Sequence, residues 1–212
     1  MPSFCRSPVL LLFFLLPSCA PTFSELQSAK LAGKGRVEIT PSYTSTTFSD
    51  EGESDKVQDH VGIQFATGVS DNVDLRFRYE YISVDEEGGS SVSVVGIGPK
   101  FGFGEGKAAF YVPVGTAFGG GADAGEALQV HPTLLYTYPF SSQFELTGSG
   151  KALLMVDRDN DDLVAFNLGA GISSDLSRWA LRPEAGILLN PGEDGRFWHF
   201  SVGFTYYAGQ KD

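Results

Sequence analysis

His199 and Ser201 stand two residues apart, so on a strand their side chains share one face. A histidine within reach of a serine hydroxyl is the base and nucleophile of ester and acyl hydrolysis. His60 and Glu80 fall near the upper, inward end of adjacent segments. Beside that chemistry stands the plainer role of interior hydrogen bonding, which is the reading for His60, His131 and His199 alike. The run Asp157-Arg-Asp-Asn-Asp-Asp162 begins as a calcium loop does, but Asp162 occupies the turn-glycine position and Leu168 the bidentate-carboxylate position. Gly102-Phe-Gly-Glu-Gly-Lys107 has Ala108 where a phosphate loop needs Ser or Thr, and reads as a tight turn. The histidines are single and no mature cysteine pair exists, so no metal, no cofactor and no catalytic residue is expected.

Charge narrows the classes further. The 212 residues carry 15 Lys+Arg against 26 Asp+Glu, a formal charge of -11, which argues against a nucleic-acid partner. Met1 to Ala20 has one positive charge, Arg6, then the apolar run Val9 to Leu16, then small residues, the layout of an export signal. No apolar run of helix-spanning length follows it. Leu16-Pro17-Ser18-Cys19 resembles the bacterial lipobox, which implies cleavage before Cys19 and acylation of that cysteine. With Cys5 removed, Cys19 has no disulfide partner.

The elements that must position these groups are strands. In residues 73–81, Val73, Leu75, Phe77, Tyr79 and Tyr81 fall on one face; Asp74, Arg76, Arg78 and Glu80 fall on the other. The same period-two pattern recurs in residues 35–43, 60–69, 92–103, 107–118, 127–138, 144–156, 163–173, 179–189 and 196–207. Each segment has about 9 to 13 residues, the reach of a tilted strand across a hydrocarbon core. Pro41, Pro99, Pro113, Pro132 and Pro183 interrupt these segments, all on the outward face in this register, and local bulges are expected there.

The connections alternate between long (44–59, 84–91, 119–126, 157–162 and 190–195) and short (70–72, 104–106, 140–143 and 174–178). Strand period, loop asymmetry and an aromatic-rich last strand together resemble the bacterial outer-membrane β-barrel family over residues 35–207. The resemblance implies an all-β, closed antiparallel up-and-down transmembrane barrel of ten strands, with eight as the alternative. It also implies a periplasmic N-terminus, and outer-membrane lipid and the barrel assembly machinery as partners. Tyr206-Tyr207 is followed by five more residues, a departure from the terminal aromatic usual in that family. The organisation expected is a signal peptide at 1–18, a periplasmic tether at 19–34, the barrel at 35–207 and a tail at 208–212.

In this register Arg36, Arg76, Arg78, Lys100, Lys151 and Arg182 face inward against Glu38, Asp74, Glu80, Glu145 and Glu184. Near-balanced charge in a narrow lumen predicts interior ion pairs and a plugged barrel, since an unpaired buried charge is costly. The surplus carboxylates fall in the long connections. The function expected is non-enzymatic, structural or surface-interacting through acidic extracellular loops. A small-solute channel and a soluble periplasmic barrel are the alternatives. His199 and Ser201 also resemble the pair used by outer-membrane lipid A deacylases, though here they face the lumen rather than lipid. His60 and Glu80 resemble the omptin protease site, without its paired aspartates.

Overall fold

From Val73 to Tyr81, strand Val73–Val84 alternates between outward apolar and buried charged residues, so there its polar face looks inward and its greasy face outward; above them Ile82 is buried and Ser83 exposed. The other wall strands likewise expose an apolar outer face, though their inward face mixes polar groups with buried Val94, Ala109, Tyr111, Leu135, Leu153 and Leu188. The computed structural model describes residues 22–85, 90–120, 122–125, 127–157 and 161–209. Its strands are β1 (Val37–Asp50), β2 (Glu53–Ser70), β3 (Val73–Val84), β4 (Val92–Phe103), β5 (Ala108–Tyr111), β6 (Val114–Phe118), β7 (Gln129–Val130), β8 (Thr133–Pro139), β9 (Phe144–Met155), β10 (Leu163–Ile172), β11 (Trp179–Leu189) and β12 (Arg196–Ala208).

The twelve segments form ten staves. β5 and β6 are halves of one stave, and β7 and β8 halves of the next. Lys100↔Tyr111 and Ile97↔Val114 lie in one unbroken register, as do Gln129↔Met155 and Thr133↔Lys151. Each stave pairs antiparallel with its neighbours in sequence, and β12 pairs with β1 from Val37↔Ala208 to Ser49↔Arg196, which closes the ring. Closure removes the free edge that an open sheet would expose.

Two expectations about the prolines are corrected. The ladder breaks at Val112-Pro113 and His131-Pro132, because proline has no N–H to donate, yet no bulge forms at either place. The register shifts lie elsewhere, at Thr46/Thr47 and at Gly68/Ser70. Pro113 is buried and faces inward, on the same parity as Tyr111 and Gly115. Its backbone packs against Gly98 of β4, where an added Cβ would lie 2.3 Å from the Val112 carbonyl oxygen and 2.4 Å from the Pro113 Cα. Gly98→Ala therefore forces two staves apart. It is expected to cost about 3 kcal/mol, read as a lower urea midpoint of tryptophan fluorescence; an unchanged midpoint would mean that the wall yields there.

The stretch 44–59, expected as a long connection, is mostly strand. β1 and β2 pair as far as Asp50↔Glu53 around a turn in which Glu51 and Gly52 take positive φ. Thr44, Thr46 and Thr47 suit a pleated strand, so the hairpin continues beyond the barrel wall. Residues 22–35 make no ladder beyond a Lys34↔Gly68 bridge, and residues 22–30 are almost entirely buried. The part of the expected tether that is described therefore does not hang below the barrel. It lies inside it.

Candidate functional site: the lumen and the segment within it

Alternation along ten staves projects polar side chains into one narrow space. Five wall cations (Arg76, Arg78, Lys100, Lys151, Arg182) and five wall carboxylates (Glu38, Asp74, Glu80, Glu145, Glu184) are buried there. Arg76 Nη2 donates to Glu38 Oε1 at 2.8 Å and to Gln64 Oε1 at 3.4 Å. Arg78 Nε donates to Glu80 Oε1 at 2.8 Å, and the other oxygen of Glu80 lies 3.1 Å from His60 Nδ1. Arg182 Nη1 meets Glu145 Oε1 at 3.3 Å, while its Nε donates to Thr205 Oγ1 at 2.9 Å. Such charge-assisted bonds suit groups that have lost water on every side.

The remaining wall charges hold main chain. Glu184 accepts the Glu25 and Leu26 amides at 2.6 and 2.8 Å. Leu26 has φ 51, a left-handed conformation that turns the two consecutive N–H groups toward one carboxylate. Arg78 Nη1 donates to the Ser24 carbonyl at 2.5 Å and Lys100 Nζ to those of Ser28 and Lys30 at 2.6 and 2.9 Å. Lys151 Nζ donates to the Thr22 carbonyl at 3.1 Å, Asn167 Nδ2 to that of Phe23 at 2.8 Å and Gln64 Nε2 to that of Glu25 at 3.1 Å. Asp74 accepts the Ala32 amide at 2.7 Å, and Thr137 that of Ala29 at 2.7 Å. The segment answers with charge of its own. Glu25 Oε1 lies 2.6 Å from Lys151 Nζ, and Lys30 Nζ 2.6 Å from Glu145 Oε2.

Ten of the eleven wall charges expected in the interior are buried there. Arg36 is the exception: it sits half-buried at the short-turn rim, where it donates to the Ser177 carbonyl and lies over the Tyr207 ring at 5.0 Å. In that same turn the Ser177 hydroxyl and amide hold the Asp175 carboxyl below its ordinary range. Lys100, Lys151, Asp74 and Glu184 do not pair tightly with wall charges as expected; they meet backbone amides and carbonyls of the segment, and Lys151 also its Glu25. Cys19 lies outside the described residues.

His199 Nδ1 lies 2.7 Å from Ser201 Oγ, and its Nε2 lies 3.0 Å from Asn167 Oδ1. That is a base–nucleophile contact in form. Ser201, however, is wholly buried and also bonds Thr44 Oγ1 at 2.7 Å, and Phe23 packs edge-on against the imidazole at 4.7 Å. In this structure the pair belongs to a buried polar network with Asn167 and Thr44. His60 bridges Glu80 and Gln58, and His131 bonds Gln129. Among the described residues no group of acids, histidines and cysteines could hold a metal ion.

The outer surface is the reverse of the lumen. Phe200 is 63% exposed, Leu168 62% and Val61 60%, within a continuous band of apolar side chains. Tyr138, Phe140, Phe144 and the stacked pair Trp179–Phe204 gather toward the short turns; Tyr43, Tyr81 and Trp198 lie toward the long connections. An apolar belt between aromatic girdles around a closed cylinder suits a bilayer. The fold is that of the bacterial outer-membrane β-barrels.

Solved structures of that class align over most of the chain at low identity. Ail, the attachment invasion locus protein of Yersinia pestis, is 9% identical with a TM-score of 0.37 over 82% of this chain and 99% of its own. The KdgM porin is 7% identical with a TM-score of 0.43 over 81% and 98%. The translocator domain of the autotransporter NalP from Neisseria meningitidis is 11% identical with a TM-score of 0.41 over 82% and 88%. These likenesses concern the architecture alone. No protein-family model and no curated relative matches the sequence.

The lumenal segment is the feature that alternation could not reveal. Its one signal is a spacing of three, Phe23, Leu26, Ala29 and Ala32, which matches neither a strand nor an α-helical stripe. All four are buried.

Proposed function

We propose that this protein is a non-enzymatic barrel of the bacterial outer membrane, closed by its own N-terminal segment, with a structural or surface-interaction role. The observation that carries the reading is the burial of residues 22–29 against the inward face, with main-chain groups along it met by wall side chains. A lumen so occupied leaves no continuous water path. The barrel then acts through its surfaces, and the richest of these is the long-connection end. Glu51, Glu53, Asp55, Asp85, Asp123, Asp161, Asp162, Glu193 and Asp194 are all exposed there. Their mutual repulsion keeps the connections hydrated and selects against acidic neighbours. Outer-membrane lipid and the barrel assembly machinery are the partners this reading requires, with Cys19 as the acylated N-terminus.

The test is electrical. The intact protein, purified in detergent and inserted into planar bilayers, is expected to show no resolved conductance steps. Ohmic steps from the intact chain would overturn the closed-lumen reading in favour of a small-solute channel. Protein that stays in aqueous solution without detergent would overturn the membrane reading itself.

A further inference from the structure

The direction of the lumenal segment carries a consequence for topology. Phe23 packs beside Leu153, Leu163, Leu188 and Phe197, at the ends of β9 to β12 that border the long connections 156–162 and 190–195. Farther along, Ala29 meets Thr137 and Lys30 meets Glu145, beside the short turn 140–143. Ala32 then meets Asp74, beside the short turn 71–72. Gly33 and Lys34 cross the lower end of β2 at Gly68, where any Cβ would lie 1.9 Å from the Gly33 carbonyl oxygen. Arg36 reaches Ser177 in the short turn 174–178, and β1 begins its climb at Val37. The chain thus descends the lumen from the long-connection end and rises again as the first stave. Ten residues from Phe23 to Gly33 reach at most about 35 Å, which matches a hydrocarbon core of about 30 Å.

We propose that the polypeptide before Thr22 leaves the barrel at the long-connection end. The N-terminus and the long connections then share one side of the membrane, and the C-terminus after Ala208 lies on the other. A periplasmic N-terminus, with residues 19–34 as a tether below the barrel, needs Phe23 at the opposite end of the lumen. With the long connections outside the cell, the mature N-terminus is a surface feature. The inference goes beyond the proposed function, though it rests on the membrane reading.

Epitope tags test it in intact and permeabilised cells, in three variants of the full chain: a tag between Pro21 and Thr22, one between Glu193 and Asp194, and one after Asp212. The first two are expected to bind antibody already in intact cells, and the third only after permeabilisation. A tag before Thr22 that labels with the C-terminal tag, and not with the 193–194 tag, overturns the inference and leaves the barrel reading standing. Three tags that label alike in every condition overturn the membrane reading instead. Pro21→Cys in the otherwise native chain, with the native chain as the labelling control, probed with a membrane-impermeant maleimide, repeats the first arm with a small group. It is expected to label whenever the 193–194 tag does, and failure to do so overturns the inference where a bulky tag alone disturbs assembly.

Discussion

Excision of residues 22–32 is expected to convert an electrically silent barrel into a conducting one. The wall that would line the opened lumen has five buried cations and five buried carboxylates, so it carries no net formal charge. Arg76 with Glu38, Arg78 with Glu80 and Arg182 with Glu145 keep their partners without the segment. Lys100, Lys151, Asp74 and Glu184 lose backbone partners, and water replaces them at little cost once the space is wet. Balanced walls give weak ion selectivity, so the reversal potential in a salt gradient is expected near zero. Ten staves leave only a narrow interior, which limits passage to small ions. The measurement is single-channel recording of the excised protein beside the intact chain. Continued silence after excision would mean that the long wall side chains alone fill the cylinder and that the segment is not the closure.

The legible and the illegible parts of this molecule divide along a physical line. Alternation has a period of two that one residue of slip would invert, so Asp74, Arg76, Arg78 and Glu80 on one face of β3 already fixed which surface of the wall meets lipid. The same logic placed Lys100, Glu145, Lys151, Arg182 and Glu184 in the lumen. It failed at the ends of elements, where alternation is shortest: Arg36 shares the parity of Glu38 but lies past the last lumenal layer. It also misjudged the stretch 44–59, because serines, threonines and acids read as connection when they extend beyond the apolar belt. Inward Pro113 was hidden for another reason. Its acceptability depends on Gly98 of the neighbouring stave, a contact across the sheet that no single segment encodes. The lumenal segment was the largest omission. It has no ladder, and its partners are backbone groups, which every residue possesses. Glu184 recognises two amides of this segment, and nothing in the types of Glu25 or Leu26 announces that.

Side-chain chemistry does announce one contact, and it gives the second large prediction. Lys151 Nζ and Glu25 Oε1 lie 2.6 Å apart, with both side chains only 2% exposed. Lys151→Met leaves the Glu25 carboxylate without that cation in a place water does not reach, and also removes the donor to the Thr22 carbonyl. The expected loss is about 3–5 kcal/mol, read from urea unfolding followed by tryptophan fluorescence. Glu25→Gln alone is expected to destabilise by a similar mechanism, with an ammonium left behind. The double variant Glu25→Gln/Lys151→Met removes both charges together and is expected to recover most of the loss, a coupling of about 2–3 kcal/mol. Lys56 and Asp59 provide the contrast. They are 2.5 Å apart on the β1–β2 hairpin, but their side chains are 45% and 29% exposed. Lys56→Met should therefore change stability by less than about 1 kcal/mol. The coupling between residues 25 and 151 arises only if the segment is seated, because those positions are 126 residues apart in sequence and share no strand. A coupling indistinguishable from zero would place Glu25 outside the barrel and dismiss the segment as its closure, whatever the conductance of the intact protein.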